Sequence, residues 1–533
     1  MSSDELRQYA DKYRAWFDED LKIAPGPAPF MNRTLLVSEQ AASRRYHETR
    51  KENGSYWTYT GLAKHYCSTS VLNLERITFS NMSIRKTHIG RFLLCRIITP
   101  CVRLVAISTV VEDTDGLVQN LSMYNFPTTI GCSLDHLDKL FPIGTVIAIR
   151  EPTLKAPLSG PRPLVRVDSP TDIVFIEPRD PILRDITWRT RLQTVSLAIP
   201  DSVEGWKERG DAYFKASEWL PAAIAYSRGL RLNSEAVVLR LNRSEAFLRL
   251  RYYSGALCDM RYVLQSADIP EGFLHKALFR GAKAEYARGN FDAALASFLR
   301  CLEIRPEEQS LIDWISRTRS RQVESTGQYD WVSLFRMARE DIHLDVADYQ
   351  GPVKVRPMAH RGGGRGIVAT KNVEVGELLL VSKPFIAIYD SDVPKGETFI
   401  ALDLLSKRIN SSTRHTSLLR TIEKIYGNPE THDLVYHLYA GPDFPCPSDS
   451  YPPMTSPQPS PVDPLVPHQQ NIFGLSRLYI PVHTPEVGAP NIFSCTPHLV
   501  FGKNRQTVPA TAPCGRRRAI GARPFQTGAI PLI

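Results

Sequence analysis

No run in this 533-residue chain approaches the roughly 18 consecutive apolar residues that a bilayer-spanning helix needs, so no membrane span is expected. The opening residues, Met1 to Lys22, are charged and amphipathic, which is not the pattern of a secretory signal. Nine cysteines (Cys67, Cys95, Cys101, Cys132, Cys258, Cys301, Cys446, Cys495 and Cys514) are scattered without a single Cys-x-x-Cys pair. Neither a zinc module nor a disulfide framework is expected from them, and they read as reduced packing residues. Strong basic charge is missing from most of the chain as well, in spite of a formal net charge of +9. Residues 468–533 hold seven Lys/Arg against one acidic residue, which leaves only +3 for everything before them. No domain there carries the basic excess that a nucleic-acid face requires. The expectation is an intracellular chain, in the cytoplasm, the nucleus or both, with neither membrane nor nucleic acid as partner.

What is present is enough apolar residue, 43% of the chain, to give each of three or four domains a core. Its organising stretch is 203–306, which repeats itself. Trp206, Gly210 and Tyr213 are followed by Ala222 and Tyr226, the Trp-x2-Leu-Gly-x2-Tyr and Ala-x3-Phe pattern with Arg209 in the Leu place. Ser244, Phe247, Ala256 and Met260 fill the same places in a second unit, and Ala282, Ala294 and Phe298 in a third, closed by Pro306. This spacing resembles tetratricopeptide repeats, helical hairpins in which small residues let two helices approach to about 8 Å. Each hairpin buries its apolar face only against a neighbour, so an apolar helix at 308–322, with Leu311, Ile312, Trp314 and Ile315, is expected to cap the stack. An ordinary helical bundle is the plainer alternative. The repeats and their cap define a domain at 203–322.

The first helix of each hairpin lines a concave face, and its polar residues are not needed for packing. Lys207 and Asp211 lie one turn apart on the first, Asn242 projects from the second, and Lys276 and Arg280 lie one turn apart on the third. The set resembles the carboxylate clamp of co-chaperone tetratricopeptide domains, built of two Lys, two Asn and an Arg. That resemblance implies that Lys207, Asn242, Lys276 and Arg280 hold an acidic peptide end, such as a heat-shock chaperone C-terminus, by charge-assisted hydrogen bonds. Asp211 departs from it, since a carboxylate beside an incoming carboxylate repels it unless Lys207 pairs with Asp211 first. Solvated groove residues paired among themselves are the alternative.

Before the repeats, Ser3 can cap a helix whose Leu6, Tyr9, Tyr13, Trp16 and Phe17 share one stripe, giving a helix and linker over 1–37. A polar stretch at 38–54 leads to a β-rich domain at 60–178. Phe92–Ile98, Val102–Val111, Val118–Tyr124, Thr145–Arg150 and Ile173–Ile176 read as short strands. With Leu-Phe-Pro-Ile-Gly-Thr-Val at 140–146, they resemble an oligonucleotide-binding barrel. A β-domain that buttresses the helical array is the alternative, because Tyr124 and Phe126 do not make an aromatic ladder. Pro181–Pro200 reads as a linker or short helix, and Tyr329–Trp331 with Asp345–Tyr349 as a connecting segment.

After the repeats, His360-Arg361-Gly362-Gly363-Gly364-Arg365-Gly366-Ile367-Val368-Ala369 precedes a Gly376-Glu377 turn and the strand-like Leu378-Leu379-Leu380. The stretch resembles the opening of a SET domain, and its place behind the repeats is similar to fungal-type SET and tetratricopeptide proteins. The resemblance implies S-adenosylmethionine held by backbone groups around Gly364, Arg365 and Gly366, and methylation of lysine in proteins such as histones. It also implies a helical insert over 397–440, with Leu402, Leu404, Leu405, Ile409, Leu418, Leu419, Ile422 and Ile425, inside a partial SET domain at 352–440. The Asn-His-Ser-Cys-x-Pro-Asn and Gly-Glu-Glu/Tyr segments of such enzymes do not occur in the sequence, so no catalytic residue and no metal ligand is assigned. Residues 441–467 hold ten Pro, and 441–533 reads as a Pro-rich, disordered tail. The expected fold class is thus a multidomain α+β chain. It has a β-rich, barrel-like or buttressing N-terminal domain, an α-solenoid of repeats, a partial SET β-fold and a tail. Two functions stay open: a protein-lysine methyltransferase recruited to partners through its repeats, and a non-catalytic, co-chaperone-like peptide-binding scaffold.

Overall fold

In the computed structural model, residues 3–435 are described apart from 50–53, 61–64, 66, 68, 104, 128–131, 157–161, 179, 193–199, 267, 342, 359–364, 394–396, 405, 406, 411, 432 and 433. Beyond 435, only 500, 501 and 529–531 are described. The tail expected at 441–533 lies outside the described residues but for those five. The chain divides into two units, one of residues 1–280 and 388–480, the other of 281–387 and 481–533.

The first unit opens with helix α1 (Ser3–Lys22), whose Ala10 and Phe17 are buried with Leu402 and Leu404. The polar stretch after it is not a linker: Arg33–Thr49 forms helix α2. Its hold on the neighbouring sheet is mostly polar, which hid it from a hydrophobic-period reading. Among its residues only Leu36 is fully buried, while Gln40 donates to the Pro100 and Ser108 carbonyls at 3.0 and 2.9 Å. Arg44 grips Asp138 at 2.7 and 2.6 Å, and Arg33 reaches the buried Glu112 at 2.6 Å. Next comes strand β1 (Gly54–Thr60), which does not join the sheet that follows it.

The main strands of that ten-stranded sheet are β2 (Arg91–Ile97), β3 (Ile107–Asp113), β4 (Val118–Met123), β5 (Val146–Arg150), β6 (Thr153–Lys155), β7 (Leu164–Val167) and β8 (Ile173–Ile176). β2, β3 and β4 form an antiparallel meander; β4 runs parallel to β7, and β7 antiparallel to β6. β5 pairs antiparallel with β2 on one side and β8 on the other. β5 and β6 are one chain bent at Glu151-Pro152, so the path from β5 through β2, β3, β4 and β7 comes back to the strand that continues β5. Pro152 has no N–H for a ladder, and Glu151 adopts φ +42° at the bend. Helix α3 (Leu134–Leu140) links β4 to β5; Ser133 caps it by accepting the His136 N–H at 3.1 Å, and Leu137 and Leu140 enter the core with Leu93, Leu121 and Ile147.

The repeats follow as α4 (Val203–Lys215), α5 (Trp219–Leu232), α6 (Val237–Leu250) and α7 (Tyr253–Leu264), with α8 (Glu271–Ala287) carrying the chain from this unit into the next. Ala222 and Ala256 are completely buried, as the small-residue places of a hairpin require. Gly210 serves the same purpose, for a β-carbon there would overlap the Tyr226 ring. Inside the second hairpin Arg243 makes a two-pronged bond to the buried Asp259 at 2.8 and 2.6 Å and donates to Ser227 at 2.9 Å.

The same unit is completed by residues from far along the chain. The helical insert expected over 397–440 is corrected in its opening part, while Leu418, Leu419, Ile422 and Ile425 do lie on a helix: Glu397–Asp403 is a strand, running parallel to β1 from Glu397 opposite Gly54 to Asp403 opposite Thr60. Its other edge pairs antiparallel with Arg408–Asn410. The Leu-rich composition suggested a helix, but the backbone partner waiting at 54–60 carries no local signal. Helix α12 (Ser412–Gly427) then docks on α7, and Gly427 lies so close to the Tyr252 ring that a β-carbon would overlap it. Asn428 fastens the joint, accepting the Tyr253 N–H and donating to the Arg251 carbonyl, each at 2.9 Å.

In the second unit, α9 (Phe291–Ile304) packs on α10 (Gln309–Ser325). Ala294 and Phe298 are fully buried, and Phe298 stacks on Trp314 with centroids 5.5 Å apart. α10 covers nearly all of the helix expected at 308–322. The segment read as a mere connection contains a further helix, α11 (Trp331–Glu340), started by Asp330 accepting the Ser333 N–H at 3.0 Å. Then β9 (Tyr349–Gln350), β10 (Val353–Pro357), β11 (Arg365–Ala369) and β12 (Leu378–Val381) form two antiparallel pairs, β9 with β12 and β10 with β11. Gly376 makes the turn before β12 at φ +83°.

Candidate functional site

Helices α4, α6 and α8 bring four of the five groove positions around one hydroxyl. Tyr226 is nearly completely buried, and its hydroxyl donates to Asp211 Oδ1 at 2.7 Å. The same oxygen accepts Asn242 Nδ2 at 3.0 Å, while Lys207 Nζ stands 3.5 Å from Asp211 Oδ2 and 3.1 Å from Glu204. On the far side, Arg280 Nε pairs with Glu245 Oε2 at 3.0 Å, and its Nη1 donates to the Leu241 carbonyl. Lys276, one turn before Arg280, is exposed and has no ion pair among the described residues.

The electrostatics follow from this geometry. Burial, then the bond to Asp211, raises the Tyr226 phenol well above its ordinary value, with Arg280 and Asn242 pulling the other way. Tyr226 therefore stays a donor at any working pH. Burial lowers the Arg280 guanidinium, and Glu245 opposes that shift. Glu204 and Asp211 hold Lys207 above its usual range. Charged groups in a half-dry groove form stronger hydrogen bonds than neutral ones, so a peptide backbone or side chain could be held here with direction.

Two participants escaped the sequence reading. Glu245 was findable, because it sits three residues after Asn242 and so on the same helical face. The Tyr226 hydroxyl was not, since the repeat pattern uses that position only as a packing aromatic.

The second candidate stretch is less complete. Gly364 lies outside the described residues. Arg365 and Gly366 open β11, opposite Pro357 and Arg356, and Gly366 is buried. Among the described residues no group of three His, Cys, Asp or Glu could hold a metal ion, and no helix is long and apolar enough to cross a membrane.

No protein-family profile matches the chain. A protein from Gibberella zeae named "Methyltransferase" is 26% identical over 406 residues, 74% of this chain and 54% of its own length. Human "Tetratricopeptide repeat protein 12" is 30% identical over 129 residues, 24% of this chain and 17% of its own. Among solved structures, one titled "First TPR of Spaghetti (RPAP3) bound to HSP90 peptide SRMEEVD" is 22% identical, covers 23% of this chain and 96% of that one, and has a TM-score of 0.20. The chain spans about half the length of the methyltransferase it resembles. It is a mixed α/β chain with a β-rich N-terminal region and a helical repeat region that resembles tetratricopeptide repeats, and it has a relative named methyltransferase.

Proposed function

We propose that this protein recruits a peptide segment of a partner through the groove of its repeats and presents it for methyl transfer. The observation that carries the reading is the gathering of Lys207, Asp211, Asn242 and Arg280 about the Tyr226 hydroxyl, on helix faces that packing does not need. In this proposal residues 352–440 open a SET fold, and backbone groups at Gly364, Arg365 and Gly366 hold S-adenosylmethionine, which supplies the methyl group for a protein lysine. The relative named methyltransferase, matched over 74% of this chain, supports that half of the reading. The returning strand path of the β-rich region supports an oligonucleotide-type barrel as its fold, used as a buttress: α2 covers one side of β3 and β4 with Leu36 against Val110 and Val118.

A non-catalytic scaffold is the second reading, favoured by the lack of the Asn-His-Ser-Cys-x-Pro-Asn segment in the sequence. Calorimetry of the whole chain with S-adenosylmethionine, with transfer of a labelled methyl group to bulk protein, separates the two. Binding with transfer is expected for the first; neither would leave the scaffold. A peptide library screened against the whole chain tests the groove, where Arg280→Ala should lower capture by about tenfold or more.

A further inference from the structure

We infer that Asp211 is an internal stand-in for a ligand carboxylate and keeps the groove from holding an acidic peptide end tightly. The inference rests on the groove being a peptide site and concerns what that site selects. A carboxylate offers about four lone-pair positions, and Asp211 already receives three donors on them. Tyr226 donates at 2.7 Å, Asn242 at 3.0 Å, and Lys207 stands at 3.5 Å. Across the groove Arg280 is committed to Glu245 at 3.0 Å and to the Leu241 carbonyl. Of the cations in this constellation, Lys276 alone is exposed and unpaired among the described residues.

An arriving carboxylate must therefore displace Asp211 from its donors and then lie beside its charge. At the effective dielectric of a half-buried site, one like charge at that range lowers affinity by roughly tenfold. Asp211→Asn removes the charge and keeps an oxygen for the Tyr226 hydroxyl, so it should free Lys207 and Asn242 without opening a hole. A ligand whose contact is neutral gains nothing from the change. The position thus sets selectivity by the charge of the peptide end.

The test uses the whole chain and a fluorescent peptide ending in Glu-Glu-Val-Asp, with either a free or an amidated C-terminus, read by anisotropy. Wild type is expected to bind the two forms weakly and alike. Asp211→Asn should tighten the free acid by about tenfold or more and leave the amide unchanged, and adding Lys207→Ala should cancel the gain. Asp211→Ala serves the same purpose should the Asn variant not fold, which thermal unfolding checks. Wild-type binding of the free acid as tight as the variant's overturns the inference and leaves the groove a peptide site. Failure of wild type and variants to bind any library peptide overturns both.

Discussion

Gly210 lies beneath the ring of Tyr226, with no room for a single added carbon between them. The contact joins the two helices of the first hairpin and sets the height at which the Tyr226 hydroxyl meets Asp211. Gly210→Ala forces the ring aside, at a cost of about 1–3 kcal/mol as for other overpacked cores. Urea unfolding should show that loss. Tyr226→Phe should cost about 1.5–3 kcal/mol, because a buried hydrogen bond to the Asp211 carboxylate goes.

A second prediction concerns the joint between α12 and the repeats. Asn428 satisfies a backbone donor at Tyr253 and a backbone acceptor at Arg251, groups that the turn between α6 and α7 leaves over. Asn428→Ala should cost about 1–3 kcal/mol. Hydrogen exchange should speed up at the Tyr253 amide and along α12, and remain unchanged in the β-rich region.

Thiol chemistry offers a third. Burial raises the Cys67 thiol to about 11 and the Cys101 thiol to about 12, so almost no thiolate exists at either near pH 8. Neither should react with a thiol-specific reagent in the native protein, and both should react at once in urea. Fast native labelling of Cys101 would contradict its position in the core of the β-rich region.

The fourth is a pH dependence. Burial, helped by the charge of Arg103, depresses His415 to about 4, below its ordinary 6.5. The unfolded chain therefore binds a proton between pH 6.5 and 4 that the folded chain refuses, and stability falls with falling pH across that window. His415→Gln should flatten the fall, seen by urea titrations at pH 5 and pH 7.5.

The parts of this architecture written in local periodicity were legible from the chain alone. The repeat register located Ala222, Ala256 and Gly210, and with them the groove faces of α4, α6 and α8, because one hairpin dictates its own geometry. Four of the larger strands, near 92–98, 118–124, 145–150 and 173–176, were visible through their Val and Ile content. Helix α2 was hidden because Gln40 and Arg44 hold it through carbonyls and a carboxylate that sequence spacing cannot register. The engagement of Asp211 by Tyr226 was hidden for a related reason: two residues 15 apart meet only once the hairpin has closed.

The pairing of Gly54–Thr60 with Glu397–Asp403 has a consequence for synthesis. The earlier strand leaves the ribosome with its hydrogen-bonding edge unmet, and more than three hundred codons must be read before its complement emerges. The sheet of residues 91–176 and the first two hairpins can form in that interval, while this edge stays open to any other extended chain. Maturation should therefore depend on chaperone protection of residues 54–60, and a nascent chain stalled before codon 397 should be the most aggregation-prone form of the protein.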